Sequence, residues 1–283
     1  MNKCISLLCV ALLAMCLFTN CTKEKLGTNF NLIGTTVLDS TINECSGLTV
    51  FDNKLWTIND SGAGETLFQI NESGTIIKTH NINNALNLDW ECLASDNEYL
   101  YIGDIGNNFG FRKDLKIYQL NNDLSVNQEF NVAYNDQVDF TNRLSHNFDA
   151  EAIVVDQGLL WVFTKNHQND SCNIYHKILS ENSNLNKIGA IQTNGLVTDA
   201  YYDSEEDKTY LLMYIIEGSE FTCTLNIYTG LRSNELTLNK SILLPITEQA
   251  EAFTKIKSYE FLIGTEREGT NKGGNLYHIR LEE

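Results

Sequence analysis

Ser46, Glu91, Glu151 and Glu251 each stand ten residues ahead of a large aromatic, namely Trp56, Tyr101, Trp161 and Phe261. Between each pair the chain alternates apolar and polar residues around a short turn, the pattern of a β-hairpin. One more copy opens at Thr198-Asp199, has the longer turn from Asp203 to Lys208, and carries Tyr210 as its aromatic. The oxygen-bearing residue therefore falls just before or at the start of a strand in every copy. If five such strands surround one axis, their oxygens converge. Converging carboxylates repel each other and are costly to bury, and a hard divalent cation relieves both problems. Calcium suits this donor set better than zinc or magnesium, because it accepts many oxygens in flexible geometry. The expected site is one central, structural calcium held by Ser46, Glu91, Glu151, Thr198 or Asp199, and Glu251, with water completing the shell. The competing reading is that these acids cap backbone amides at strand starts.

The elements that must position these residues carry a second signature. An aliphatic-aromatic pair follows each hairpin: Leu67-Phe68, Ile117-Tyr118, Ile174-Tyr175, Ile227-Tyr228 and Leu276-Tyr277. A strand-built unit recurring about every fifty residues is how a β-propeller looks in sequence. The expected fold is all-β, a five-bladed propeller closed by an N-terminal strand, with a six-bladed propeller as the alternative. The last copy runs on for only six residues after Tyr277, so its blade lacks an outer strand. Residues 30–38, FNLIGTTVL, have no hairpin of their own and are expected to supply that strand, removing the exposed sheet edge.

The loops after the second strand of each hairpin should gather at one face. They bring Asn59 and Asp60, then Asp104 and Asn107 with Arg112 behind them, Lys165, and Glu266 with Arg267. In these loops Gly62, Gly64, Gly106 and Gly110 read as backbone choices. Asp60 and Asp104 suit a second cation or a sugar hydroxyl, while Arg112, Lys165 and Arg267 suit an anion. Ordinary Asn/Gly turn chemistry explains the same residues without a ligand.

The N-terminal residues read as export machinery. Lys3 precedes an apolar run from Ile5 to Phe18 that is short for a membrane span. Residues 1–20 are expected to be a lipoprotein signal peptide, Cys21 the lipidated residue, and 21–29 a tether, with residues 30–283 forming a single propeller domain. Thr22 after the cysteine favours the outer membrane, with the protein either periplasmic or surface-exposed. The alternative is an ordinary signal peptide cut near Cys21. The net charge of −17 argues against a nucleic-acid partner, which needs a basic stripe. Cys45, Cys92, Cys172 and Cys223 are read as buried thiols, with disulfide pairing as the alternative for an exported protein. No histidine pair has the spacing of a zinc site, and no nucleophile elbow or phosphate loop is present.

Three resemblances follow. The five-fold series is similar to the calcium-activated nucleotidase (apyrase) family, a five-bladed propeller. That likeness implies a central calcium on Ser46, Glu91, Glu151, Thr198 and Glu251. The series also resembles the SdiA-regulated bacterial propellers, with their Ser-Gly-Leu opening. The stretches Trp56 to Gly62 (WTINDSG), Asp89 to Ala94 (DWECLA) and Tyr101 to Asn108 (YIGDIGNN) resemble secreted or surface bacterial propellers with no settled activity. The N-terminal segment and the Arg-rich loop of the apyrases have no counterpart here. The function expected is therefore a cell-envelope binding module for a glycan, protein or small ligand. A calcium-dependent phosphohydrolase and a purely structural envelope protein are the alternatives.

Overall fold

The computed structural model describes residues 30–96, 98–267 and 273–282; the expected signal segment, Cys21 and the tether lie outside them. Each hairpin grows into a four-stranded antiparallel blade. The first is β2 (Cys45–Phe51), β3 (Lys54–Asn59), β4 (Thr66–Ile70) and β5 (Ile76–Asn81). The second is β6 (Trp90–Ser95), β7 (Leu100–Asp104), β8 (Lys116–Leu120) and β9 (Val126–Asn131). The third is β10 (Ala150–Asp156), β11 (Leu159–Thr164), β12 (Ser171–Ile178) and β13 (Asn186–Gln192). The fourth is β14 (Leu196–Asp203), β15 (Lys208–Glu217), β16 (Glu220–Thr229) and β17 (Thr237–Leu243). The fifth consists of β18 (Ala250–Lys257), β19 (Glu260–Thr265) and β20 (Asn275–Leu281), and its outer strand is β1 (Phe30–Val37). Phe30 pairs with Leu281 and Val37 with Asn275, so the ring closes through the N-terminal strand as expected. The fold is a five-bladed β-propeller, with no helix among the described residues.

A propeller is held together between blades rather than within them. The buried side chains fall into five clusters, one at each blade-blade interface. The cluster joining Leu48, Leu55 and Phe68 to Ala252, Leu262 and Leu276 seals the last blade against the first. All five repeated aromatics are buried: Trp56, Tyr101, Trp161, Tyr210 and Phe261. Phe253 and Phe261 stack at 5.2 Å between blades four and five. Removing one such side chain from water contributes about 1.5–3 kcal/mol.

The innermost strands β2, β6, β10, β14 and β18 share one irregularity. Each pairing with its neighbour slips by one residue near its start, between Cys45 and Gly47, Trp90 and Cys92, Ala150 and Ala152, Val197 and Asp199, and Ala250 and Ala252. The skipped residues are Ser46, Glu91, Glu151, Thr198 and Glu251. A β-bulge leaves one residue out of the ladder and re-aims its side chain, and here it does so five times at the same level of the channel. The face where these strands begin is called the upper face below. Phe30 lies at the opposite, lower face, beside the far end of β20.

Candidate metal centre at the upper mouth

The bulge register separates two neighbours that the sequence left as alternatives. Thr198, not Asp199, is the counterpart of Ser46. The Ser46 hydroxyl donates to the Trp90 carbonyl at 3.0 Å, and the Thr198 hydroxyl donates to the Ala250 carbonyl at 2.7 Å. Each thus fastens its bulge to the next blade. Asp199 stands one residue further along, where the other blades have Gly47, Cys92, Ala152 and Ala252. Strands approach closely there: a Cβ on Gly47 would lie 2.8 Å from the Leu93 amide nitrogen. Asp199 is fully buried and accepts backbone N–H groups from Ala200 at 2.8 Å and Phe253 at 2.6 Å. It therefore plugs the channel through amide capping.

The three bulge glutamates do not share one environment. Asp60, Lys165 and Glu266 are equivalent positions, each the first residue past the second strand of its blade. Their amides bond back to the Glu44, Asp149 and Gln249 carbonyls at 2.9 Å. This carries Lys165 into the channel rather than out onto the rim. Its ammonium is buried, contacts Glu151 Oε1, and lies 3.3 Å from Glu251 Oε1. The Tyr214 hydroxyl and Gln249 Nε2 also donate to Glu251, at 3.2 and 2.8 Å. Burial opposes charge on Glu251, but Lys165, with Glu266 and Gln249 hydrogen-bonded to the carboxylate, outweighs it and holds the carboxyl below the usual range. For Glu151 and Glu251, the positive charge expected of an ion comes from Lys165. Oε2 of Glu151 remains buried without a partner.

Glu91 has no such counter-charge. It is 3% exposed, and among the described residues nothing donates a hydrogen bond to its carboxylate. Asp60 and Asp89 face it, and one oxygen from each of the three lies within 4.8 Å of the others. Gly106 walls this corner. A Cβ there would lie 2.2 Å from Glu91 Oε1 and 2.4 Å from Asp89 Oδ2, so the glycine is fixed by the carboxylates, not by a turn. Burial, with neighbouring acids adding to it, pushes Asp60 up to about 7. Burial also raises Asp89 to about 6 against the pull of Arg112, and lifts Glu91 well above the carboxylate range. With no cation between them, such buried acids relieve their repulsion by holding protons.

The remaining rim residues do not converge on one depression. Arg112 is committed to Asp104 at 3.0 Å, to the Gly106 carbonyl at 2.8 Å and to Asp114 at 3.2 Å. Asp104 is fully buried behind it, with Oδ2 unpartnered. Asn107 and Asn59 organise loops: Asn107 Nδ2 donates to the Phe148 carbonyl, and Asn59 Nδ2 to the Thr41 carbonyl, both at 2.8 Å. Glu266 is pushed up to about 9 by burial and by Glu251 beside it. Arg267 is exposed. The sequence reading missed Asp89 and Asp149. Asp149 is buried, accepts the Asn107 amide at 2.7 Å and faces His167 Nε2 at 2.8 Å. Cys45, Cys92, Cys172 and Cys223 are buried free thiols.

Two openings flank the channel. A cavity of about 460 Å³ lies on the blade-one side of Asp60, and Asn59 and Ser61 are among its walls. A wider depression of about 750 Å³ occupies the lower face around Tyr201, Tyr202, Asp203 and Lys255.

No family model matches the chain, and no curated protein matches it in sequence. Among solved structures, a protein of unknown function from Dyadobacter fermentans aligns over 90% of this chain and all of its own, with TM-score 0.52 and 8% identity. The catalytic domain of a GH62 α-L-arabinofuranosidase from Coprinopsis cinerea aligns over 88% of this chain and 96% of its own, with TM-score 0.48 and 10% identity. The first likeness shows the fold, a β-propeller, and at 8% identity it shows the fold alone.

Proposed function

We propose that this chain is a calcium-dependent binding module of the bacterial cell envelope, anchored through lipid on Cys21, with its cation between blades one and two rather than on the axis. The observation that carries the reading is Glu91: a residue 3% exposed whose carboxylate has no hydrogen-bond donor among the described residues, facing two further carboxylates in a corner that Gly106 leaves open. Three carboxylates supply charge for a hard cation. They leave much of calcium's shell of roughly six to eight oxygens to water or to a ligand, which is the property a cation-bridged binding site needs. The channel behind is closed by Lys165 and Asp199, so a ligand meets the cation from the upper face.

A phosphohydrolase on the same face would need a clamp for transferring charge. Arg112 and Lys165, two described cations at the mouth, are already held by Asp104 and by Glu151 with Glu251. The test of the proposal is a calcium titration by calorimetry on the wild-type protein and Asp89→Asn. Binding of one ion per chain, weakened in the variant, supports it; absence of any heat at millimolar calcium rejects it.

A further inference from the structure

A cavity opens beside Asp60. Its walls include Thr41, Asn43, Ser61, Thr66 and Thr79, with Phe68 and Ile76 as apolar surface. Glu44 is the single charged residue in this lining, although the chain as a whole carries a net charge of −17. The volume of about 460 Å³ falls within the ordinary range of small-ligand sites, roughly 300–1,000 Å³. Asp60 lies in sequence between two wall residues, Asn59 and Ser61, and its carboxylate belongs to the candidate cation corner. Ser61 lines the cavity and its amide donates to the Asp60 carboxylate, so cavity and cation corner meet at Ser61.

We infer that this surface binds a neutral oligosaccharide, with hydroxyl oxygens of one sugar completing the calcium shell and the rest of that sugar seated in the cavity. The inference rests on the proposed calcium site and names the ligand of that site. Charge decides the ligand class. Three carboxylates already exceed the two positive charges of the ion, and Arg112, 4.0 Å from Asp89, is shared with Asp104 and Asp114 and does not make up the difference. A phosphate or carboxylate ligand would add to the surplus, whereas hydroxyls fill coordination positions without adding charge. The hydroxyl and amide groups of Thr41, Asn43, Ser61, Thr66 and Thr79 are donors and acceptors of the kind a polyol pairs with. Phe68 and Ile76 offer the apolar contact that C–H faces of a sugar ring require.

The test uses an array of neutral oligosaccharides alongside sialylated, sulfated and phosphorylated ones, probed with the purified propeller in calcium and in chelator. Terbium luminescence reads the cation site separately. The blocking variant is Ala63→Trp, an exposed cavity-lining position in the loop between β3 and β4, outside the three carboxylates; Thr79→Trp, on β5, is a second block. The expected result is chelator-sensitive binding to neutral glycans, weakened by about tenfold or more in both variants, with terbium affinity within about twofold of wild type. Terbium binding with no neutral glycan retained overturns the sugar assignment and leaves the cation site standing. Retention of acidic glycans alone, or neutral-glycan binding that survives chelator or both blocks, also overturns it. Failure to bind terbium or calcium instead removes the cation reading on which the sugar assignment rests.

Discussion

Lys165 Nζ lies 3.3 Å from Glu251 Oε1 although the two residues belong to blades three and five. An ammonium that also contacts Glu151 and sits 5.3 Å from the centre of the Tyr214 ring can only span those blades across the channel. A side chain thus supplies part of the charge that a ring of acids would otherwise draw from an ion. Lys165→Met should cost about 3–5 kcal/mol, because it leaves two carboxylates buried without their partner. Urea denaturation measures this. The triple variant Lys165→Met, Glu151→Gln, Glu251→Gln should recover part of the loss. A loss below about 1 kcal/mol, the scale of an exposed pair, would mean that the pair is solvated in solution.

Asp199 and Thr198 make opposite predictions from adjacent positions. Asp199→Ala strips the acceptor from the Ala200 and Phe253 amides inside the channel. The cost should be about 2–4 kcal/mol, since an orphaned buried amide forfeits its full desolvation penalty. Thr198→Val loses one hydroxyl bond to the Ala250 carbonyl and should cost about 1 kcal/mol, with calcium affinity unchanged. Equal effects on stability from the two changes would contradict the plug assignment.

Five positions were legible from sequence because β-bulges recur: Ser46, Glu91, Glu151, Thr198 and Glu251 open hairpins of nearly constant length, and the structure gives all five the same bulge. The closing strand was legible as well, from an apolar stretch without a hairpin before the first copy. The partition of the acids was not. Lys165 reads as a rim residue until the register shows it equivalent to Asp60 and Glu266, all of which lean over the channel mouth. Asp89 was legible as the start of DWECLA but not as a neighbour of Glu91, because it precedes Trp90 outside the repeat. Gly106 looked like turn chemistry beside Asn107, whereas its role is to leave room for Glu91. Each depends on contacts between blades, which no repeat within a blade encodes.

The acids at the mouth give the metal-free protein an unusual pH dependence. Asp60, Asp89 and Glu266 are raised to about 7, 6 and 9, above ordinary values near 4 in an unfolded chain. Between the two values the folded state binds more protons than the unfolded one, so stability falls as pH rises. The stabilisation is complete below about pH 4 and is lost by these groups as pH passes upward through about 6, 7 and 9. In chelator, melting temperature should therefore decline from pH 5.5 to pH 8.5. Added calcium should reverse the decline at the upper end, by linkage to the folded state. A chelated protein that melts higher at pH 8.5 than at pH 5.5 contradicts this.

Membrane attachment is testable apart from the propeller. Phe30 enters at the lower face, so a tether from Cys21 would hold that face toward the membrane and the cation corner away from it. Cys21→Ser should move the protein from the membrane fraction to the soluble fraction, and protease or antibody access in intact cells reads which side it faces. A wild-type protein recovered soluble, with its N-terminus beyond residue 21, contradicts the anchor.

Terbium luminescence titration of Glu91→Gln against Glu151→Gln tests directly where the cation sits. An ion held by Asp60, Asp89 and Glu91 predicts one site per wild-type chain. Affinity should fall at least about tenfold, about 1.4 kcal/mol, in Glu91→Gln and stay within about twofold in Glu151→Gln. Equal losses in both variants would put the ion on the channel axis, and no loss in Glu91→Gln would remove the site altogether.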